Sequence, residues 1–351
     1  MPEARASKLG AGALLLEALR DPATSAELSP DQWDLLLRLA RRTRLLGRLE
    51  ADFACKGIMD SIPERVANHL IAARNEVQHR QTLLTWELNR VLWALKEVET
   101  PVIVLKGAAY VLAGLPSARG RWFADLDVLV PESRISQVEE TLLNRGWSRT
   151  RMNPYDERYY RVWMHEIPPL RHRERETEID IHHTIVPRTS RLRFDATRLS
   201  ESARHLSDAR ILVLAPADMV LHTLVHLFLE GDAQEGLRLR DLLDVHDLME
   251  HFGQNEPDFW EELMHRAHEF GVLRPLHYGL RFARLLLGTR IPEAVFRDAR
   301  IGEPVLPVRI LMDRLVPLAL LPDHPDRPRR QAVFARWLIY MRAHWMRMPP
   351  G

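Results

Sequence analysis

Residues 119–131, RGRWFADLDVLVP, place two aspartates one residue apart at the start of an otherwise apolar run. Side chains alternate between the two faces of a β-strand, so Asp125 and Asp127 point in the same direction. The apolar side chains between and after them point in the opposite direction, towards a buried layer. The stretch is therefore predicted to be a strand that buries one apolar face and presents two carboxylates on the other.

A second stretch, EIDIHH at residues 178–183, shows the same strict alternation. Glu178, Asp180 and His182 share one face of this predicted strand. If the two strands are neighbours, either Asp180 or Glu178 adds a third carboxylate to the first pair. Carboxylates held this close repel one another, and some are forced to protonate unless a divalent cation offsets their charge. Oxygen ligands beside a phosphate site are typical of Mg²⁺, so the pattern predicts a magnesium site.

Upstream, the stretch PVIVLKG at residues 101–107 is a short β-branched run closed by glycine, which indicates a buried strand. A glycine at the end of this strand lets the backbone approach a bound phosphate closely. The start of the helix that follows offers N–H groups to the same anion. Lys106, Arg119 and Arg121 add positive charge that suits a triphosphate.

The chain changes character twice along its length. In residues 1–97, apolar positions recur three and four apart with charges between them, which predicts helices. Residues 98–200 alternate short strands with helices, and residues 147–167 within them are predicted to form one or two strands. Residues 201–351 are predicted to be helical again. We therefore predict an α+β fold, with a small mixed β-sheet core flanked by N-terminal and C-terminal helical regions.

The composition limits the classes of function. The chain has 351 residues, a net charge of +1 and one cysteine, Cys55, which is expected to be a packed thiol. The small net charge argues against a strongly basic nucleic-acid-binding protein. A single cysteine forms neither a disulfide framework nor a thiolate zinc cluster. The N-terminus lacks the order of a signal peptide, and no window approaches about 18 uncharged apolar residues. We expect a cytoplasmic protein with no membrane partner and no strong nucleic-acid signal.

Two further polar patterns allow more than one interpretation. His222 and His226 lie four apart on one helical face, a spacing that can hold zinc. Packing, or lining a cleft between the regions, explains them as well. The stretch RLRDLLDVHD carries four charged residues, Arg238, Arg240, Asp241 and Asp244. These residues either face the cleft or form i,i+4 pairs on the surface.

The order of these elements resembles the polymerase-β-like nucleotidyltransferase superfamily: a strand ending in glycine, a short helix, a DxD strand and a later strand with one aspartate. More narrowly, LKGAAYVLAGL, RGRWFADLDVLV and EIDIHH resemble a bacterial nucleotidyltransferase branch with LKG, an arginine, DxDxLV and (V/I)DIH motifs. The resemblance covers residues 101–185 well. It implies a nucleotidyltransferase core at residues 98–200, between the two helical regions.

The resemblance also implies roles for individual residues. Gly107 corresponds to the phosphate-loop glycine, Asp125 and Asp127 to metal ligands, and Asp180 to the third ligand or catalytic base. The residues expected to contact the nucleotide are Lys106, Gly107, Ala108, Arg119, Arg121 and His182. The wider superfamily usually has a second glycine or a serine after the loop glycine. Here Ala108 follows, so no hydroxyl is available for the phosphate at that place.

The implied reaction moves a nucleoside monophosphate from a nucleoside triphosphate, such as ATP, to an acceptor, with Mg²⁺ or Mn²⁺ as cofactor. The sequence does not distinguish among three kinds of acceptor: a small molecule, a peptide or protein side chain, and a tRNA. The alternative is a catalytically weak or inactive nucleotide-binding or protein-interaction module on the same fold, which the departure at Ala108 motivates. The sequence does not indicate the oligomeric state.

Overall fold

The structure is a computed structural model that describes residues 10–122, 125–175, 177–192, 194–206, 210–229 and 237–348. In these ranges one seven-stranded mixed sheet is flanked by N-terminal and C-terminal helices. The predicted α+β class is therefore confirmed.

Four helices precede the sheet: α1 (Gly12–Arg20), α2 (Pro30–Arg42), α3 (Leu46–Cys55) and α4 (Glu64–Ala94). Helix α2 begins at a capping box, in which the Ser29 side chain accepts from the Gln32 N–H and the Gln32 side chain accepts from the Ser29 N–H. The helix then buries one apolar face, which includes Trp33, Leu36 and Leu39. The helical pattern predicted for this region is thus present from residue 12 onward.

The strands are β1 (Ile103–Val104), β2 (Asp125–Leu129), β3 (Trp147–Arg149), β4 (Leu170–His172), β5 (Glu178–His182), β6 (Arg204–His205) and β7 (Leu212–Val213). Their order in the sheet is β3-β4-β5-β2-β1-β7-β6. The central strand β2 runs parallel to β5 and antiparallel to β1. Two strands that lie far apart in sequence are therefore hydrogen-bonded neighbours.

Four helices lie between the strands: α5 (Lys106–Leu112), α6 (Ile135–Asn144), α7 (Pro154–Trp163) and α8 (Ala196–Ser202). Residues 147–167 were predicted to form one or two strands. The structure has one strand there, β3, and the rest of the segment is mostly the helix α7, which was not predicted from the sequence. The Asn153 side chain accepts from the Asp156 N–H at 2.8 Å, and Pro154 occupies the first turn. These helix-start signals outweigh the aromatic and β-branched residues that follow.

The remaining helices are α9 (Pro216–Leu229), α10 (Leu239–Asn255), α11 (Phe259–Glu269), α12 (Leu273–Phe282), α13 (Glu293–Asp298), α14 (Leu306–Leu320) and α15 (Arg330–Arg347). The sheet continues past residue 200, because β7 pairs with β1 and β6 pairs with β7. The positions of the domain boundaries stay a prediction. Helix α10 packs on the 3-10 turn Pro116–Ala118 that follows α5, and so places C-terminal side chains beside β1 and β2.

Buried apolar side chains from all parts of the fold form one cluster, from Leu15 on α1 to Ile339 on α15. Cys55 is exposed at the end of α3, so the expectation of a packed thiol is wrong. Across the described ranges, every helix is too short or too polar to cross a membrane.

Candidate active site

The pairing of β2 with β5 brings the acidic residues of the two strands together. Asp125 lies opposite Glu178, and Asp127 lies opposite Asp180, in parallel register. Directly opposed residues on neighbouring strands project to the same face, so the Asp127 and Asp180 side chains are neighbours. Asp127 is buried, whereas Asp125 lies exposed at the start of its strand. The register therefore gathers these acids on one face of the sheet, although among the described residues the three aspartates do not form a group whose ligand atoms all lie within 4.8 Å of one another.

Asp180 is the acid whose charge is least balanced. Burial raises the pKa of Asp180 to about 9, with further contributions from Asp127, Glu166 and Asp125, while Lys106 acts in the opposite direction. The Oδ1 atom of Asp180 is buried and has no hydrogen-bond partner within the described part of the chain. A buried, unpartnered carboxylate oxygen beside two other carboxylates fits a divalent cation, which would offset their repulsion.

Asp127 is held in its charged form by two neighbours. The Lys106 Nζ donates to the Asp127 Oδ1 at 2.8 Å, and the His182 Nε2 lies 3.0 Å from the same oxygen. Burial alone would raise the pKa of Asp127, but Lys106 and His182 lower it far below its usual range. The two acids opposite each other in the register therefore favour different protonation states.

Lys106 adopts a left-handed backbone conformation, with φ of +48°, where β1 passes into α5. This conformation costs a residue other than glycine about 1–2 kcal/mol, and such strain concentrates at functional sites. Gly107 is required for a different reason: its lack of a side chain lets the Arg121 side chain pack against the backbone, and a Cβ here would clash with the Arg121 Nε. The tight turn thus falls at the lysine, one residue before the glycine that the sequence indicated.

A cavity of about 130 Å³ opens beside Asp125 and Asp127. The basic side chains that line it come from distant parts of the chain: Arg44, Lys106, Arg121, Arg238 and Arg240. Ala108 lines the same cavity through α5, whereas Arg119 is exposed and donates to the Pro116 carbonyl at 3.3 Å. The acids Asp241 and Asp244 also line it, whereas Asp180 does not. The cavity therefore combines five basic side chains, the cationic wall, with the edge of the carboxylate group, an arrangement suited to a phosphate bridged by a cation.

Two arginines of this wall, the buried Arg121 and the half-buried Arg240, are held by hydrogen bonds. Arg121 donates to Asp244, and the Asp244 carboxylate raises the pKa of Arg121 although burial opposes it. Arg240 donates from one terminal nitrogen to the Trp122 carbonyl at 3.0 Å, and burial lowers its pKa. The Arg240 Nε has no hydrogen bond within the described residues. Of the two interpretations offered for the RLRDLLDVHD stretch, the structure favours the position in the cleft.

Glu166 is a fourth carboxylate in this group that the sequence did not indicate. It forms a single antiparallel bridge with His182, and its Oε2 lies 3.4 Å from the His182 Nε2. Burial raises the pKa of Tyr160 to about 12, and the neighbouring Glu166 and Asp180 carboxylates contribute to the increase. No motif marks Glu166, since it follows α7 in a segment predicted to be strand.

His226 lines the cavity, with its Nε2 3.6 Å from the Asp241 Oδ2, and His222 is buried on the same helix α9. Among the described residues, neither histidine belongs to a group whose ligand atoms converge on one point. The interpretation of these two histidines as lining and packing residues therefore agrees with the structure better than a zinc site does.

Comparison with known proteins assigns this chain to a family. A family model described as uncharacterised nucleotidyltransferase matches residues 29–288. No curated protein and no solved structure gives a match. The matched range includes the carboxylates of β2 and β5 and extends through helices α9 and α10, which supply part of the cationic wall. Because this model matches well over half of its length, the chain belongs to the family of uncharacterised nucleotidyltransferases.

Proposed function

We propose that this protein transfers a nucleoside monophosphate from a nucleoside triphosphate to an acceptor, as in the polymerase-β-like superfamily that its motifs resemble. The observation that carries the proposal is the register that sets Asp127 opposite Asp180, on the face that also carries Asp125. The adjoining cavity with its basic wall supports the same reaction. Membership in a nucleotidyltransferase family supports the reaction class.

Asp125, Asp127 and Asp180 would hold Mg²⁺ or Mn²⁺ through their carboxylate oxygens, the ligand type that these ions prefer. When bound, the ion would stabilise the charge that develops on the α-phosphate and on the departing pyrophosphate. The unpartnered Oδ1 of Asp180 supports this assignment. His182 would keep Asp127 oriented through its contact at 3.0 Å.

The basic wall would bind the triphosphate. Lys106 stands at the first turn of α5 and adds a positive charge to the wall of the cavity. The buried Arg121 is held by Asp244 and the half-buried Arg240 by the Trp122 carbonyl, so their guanidinium groups are already in place. Arranged this way, the charges lose little conformational freedom when the phosphates bind.

In the proposed reaction, an oxygen of the acceptor attacks the α-phosphorus of the nucleotide. The bond between the α-phosphorus and the oxygen that bridges to the β-phosphate breaks, and pyrophosphate leaves with that electron pair. The proton of the acceptor hydroxyl would pass to the Asp180 carboxylate, which is free to accept it once a bound cation has offset the repulsion that raises the Asp180 pKa to about 9.

A second candidate function is nucleotide binding without transfer. The specific observation that favours it is the ion pair of Lys106 with Asp127, which places a cation on an oxygen that a metal would need. Ala108 adds to this, because it offers no hydroxyl to the phosphate. In this case nucleotide would bind without depending on Mg²⁺.

The test measures pyrophosphate release and transfer of α-labelled nucleotide, with each of the four nucleoside triphosphates and with small-molecule, peptide and tRNA acceptors. We expect Asp127→Ala to lower the transfer rate more than about a hundredfold, because a metal ion supplies several kcal/mol of transition-state stabilisation. Asp60→Ala, at an exposed acid far from the site in sequence, is the matched control. Equal rates for wild type and Asp127→Ala would contradict the proposal. If calorimetry shows that the nucleotide binds with the same affinity with and without Mg²⁺, the second candidate function is favoured.

A further inference from the structure

A second group of ligand atoms converges beside the three aspartates. One atom each from His165, Glu166 and His182 lies within 4.8 Å of the other two. The Glu166 Oε2 is 3.4 Å from the His182 Nε2 and 3.9 Å from the His165 Nε2. His165 is 3% exposed and His182 is 1% exposed, so two imidazoles and one carboxylate meet almost completely out of solvent.

Backbone hydrogen bonds between β5 and the segment after α7 fix this arrangement. The His165 carbonyl accepts from the His183 N–H at 2.9 Å, and the Ile167 N–H donates to the Ile181 carbonyl at 3.1 Å. The rings of His165 and His182 stack, with centroids 5.2 Å apart and planes inclined by 27°. Main-chain bonds and ring packing therefore hold the three side chains together, and the group does not depend on a mobile surface loop.

One N–H of His182 does not satisfy both carboxylates that face it. The Nε2 of a neutral histidine donates one hydrogen bond, yet two carboxylate oxygens face the His182 Nε2, from Asp127 at 3.0 Å and from Glu166 at 3.4 Å. The distance of 3.9 Å between His165 and Glu166 is too long for a hydrogen bond. A cation between the three atoms explains why they converge.

One of the distances also agrees with metal coordination. Two ligand atoms about 2.0–2.1 Å from one tetrahedral ion are separated by roughly 3.4 Å, the distance between Glu166 and His182, whereas the 3.9 Å between His165 and Glu166 requires a small inward movement on binding. Imidazole nitrogens with one carboxylate suit Zn²⁺ and other first-row divalent ions, whereas Mg²⁺ prefers a shell of oxygen ligands. The ligand types thus separate this group from the three aspartates.

We propose that His165, Glu166 and His182 bind one first-row divalent cation, with Zn²⁺ the best match to the ligands. The Asp127 Oδ1, 3.0 Å from the His182 Nε2, is placed to serve as a fourth ligand. This N,N,O set differs in ligand type from the all-oxygen set proposed for Mg²⁺, and the two sets adjoin at Asp127, the residue that they would share. The inference does not rest on nucleotide transfer, because metal binding is measurable without any nucleotide.

The test uses the full chain, stripped of metal with EDTA and titrated with Co²⁺ as a visible spectroscopic probe. We expect one Co²⁺ per chain with a d–d absorption band, displaced by Zn²⁺ but not by a large excess of Mg²⁺. His165→Gln and Glu166→Gln should each weaken Co²⁺ binding at least about tenfold, because each removes a ligand. His69→Gln, at an exposed histidine on α4, should leave the affinity unchanged.

Failure of this inference is distinguishable from failure of the proposed reaction. Asp125→Asn should leave Co²⁺ affinity nearly unchanged while impairing Mg²⁺-dependent transfer. No Co²⁺ binding by the wild type, equal binding by wild type and both ligand variants, or displacement by Mg²⁺ as readily as by Zn²⁺ would each overturn the site. If circular dichroism shows that His165→Gln does not fold, Glu166→Gln decides the question, because Glu166 is the least buried of the three.

Discussion

Two groups of closely spaced acids in this protein are built in opposite ways. In the carboxylate site of Asp125, Asp127 and Asp180, acids gather on one face of the sheet. In a second group, which we call the inter-helix ion-pair cluster, Arg48 and Asp52 of α3 meet Asp247 of α10. The Arg48 guanidinium donates to the Asp52 Oδ2 at 2.7 Å and to the Asp247 Oδ1 at 3.0 Å.

The difference indicates which buried charges have a structural role and which belong to a candidate ligand site. In the inter-helix ion-pair cluster, burial would lower the pKa of Arg48, but Asp247 and Asp52 raise it above its ordinary value. In the carboxylate site, Lys106 pairs with Asp127, and burial with neighbouring acids raises the pKa of Asp180 to about 9. Balanced charges hold two helices together, whereas unbalanced ones mark a candidate ligand site.

The largest expected effect comes from breaking the balanced group. Asp247→Ala leaves the Arg48 guanidinium buried with one carboxylate instead of two, so we expect a loss of about 3 kcal/mol in the free energy of unfolding. Asp326→Ala is the matched control, because its pair with Arg38 is solvent-exposed and should contribute far less to the free energy of unfolding. Urea unfolding measures both. Similar losses for the two variants would show that burial does not distinguish these pairs.

A smaller effect is expected where the Arg121–Asp244 pair adjoins the carboxylate site. Gly107→Ala places a methyl group 2.4 Å from the Arg121 Nε, and Arg121 is held in place by Asp244. We expect a destabilisation of about 1–3 kcal/mol from this overpacking. In an Arg121→Ala background the same substitution should cost far less, which a double-mutant cycle measures. An equal cost in both backgrounds would remove Arg121 as the cause.

The smallest effect concerns a histidine beside the inter-helix ion-pair cluster. Burial lowers the pKa of His246, whose Nδ1 lies 2.8 Å from the Thr289 Oγ1. The unfolded chain therefore takes up a proton more readily than the folded one, so stability falls as pH drops below about 6.5. Urea unfolding at about pH 8 and about pH 5 should show a smaller decline for His246→Gln than for the wild type. The same decline in both proteins would assign the pH effect to other groups.

Much of the carboxylate site follows from local sequence pattern. Strict alternation in β2 and β5 predicts which side chains share a face, and this needs only the period of a strand. The β-branched run before Lys106 likewise predicts β1, and the flanking helices follow from apolar spacing. These features depend on residues a few positions apart, which is why a single sequence was sufficient to predict them.

Other features depend on contacts that sequence pattern does not encode. The parallel pairing of β2 with β5 joins residues more than fifty positions apart. That these two strands are neighbours had to be assumed from the sequence, because no local pattern predicts it. Strands β6 and β7 have two residues each, too few to show a period. Glu166 reaches the site through a single bridge after α7, where aromatic residues suggested a strand. For α7 the helix-start signal at Asn153 and Pro154 was available and outweighed those residues.

The most direct test of the central claim compares the unfolding free energy of wild type and Asp180→Asn, each with and without Mg²⁺. Without Mg²⁺, we expect the variant to be more stable than the wild type by about 1–2 kcal/mol, because it removes an unbalanced acid from a candidate functional site. With Mg²⁺, the wild type should gain stability and the variant should gain little, because a ligand stabilises only the state that binds it. A variant that is less stable than the wild type without Mg²⁺, or that gains as much stability from Mg²⁺, would contradict the account.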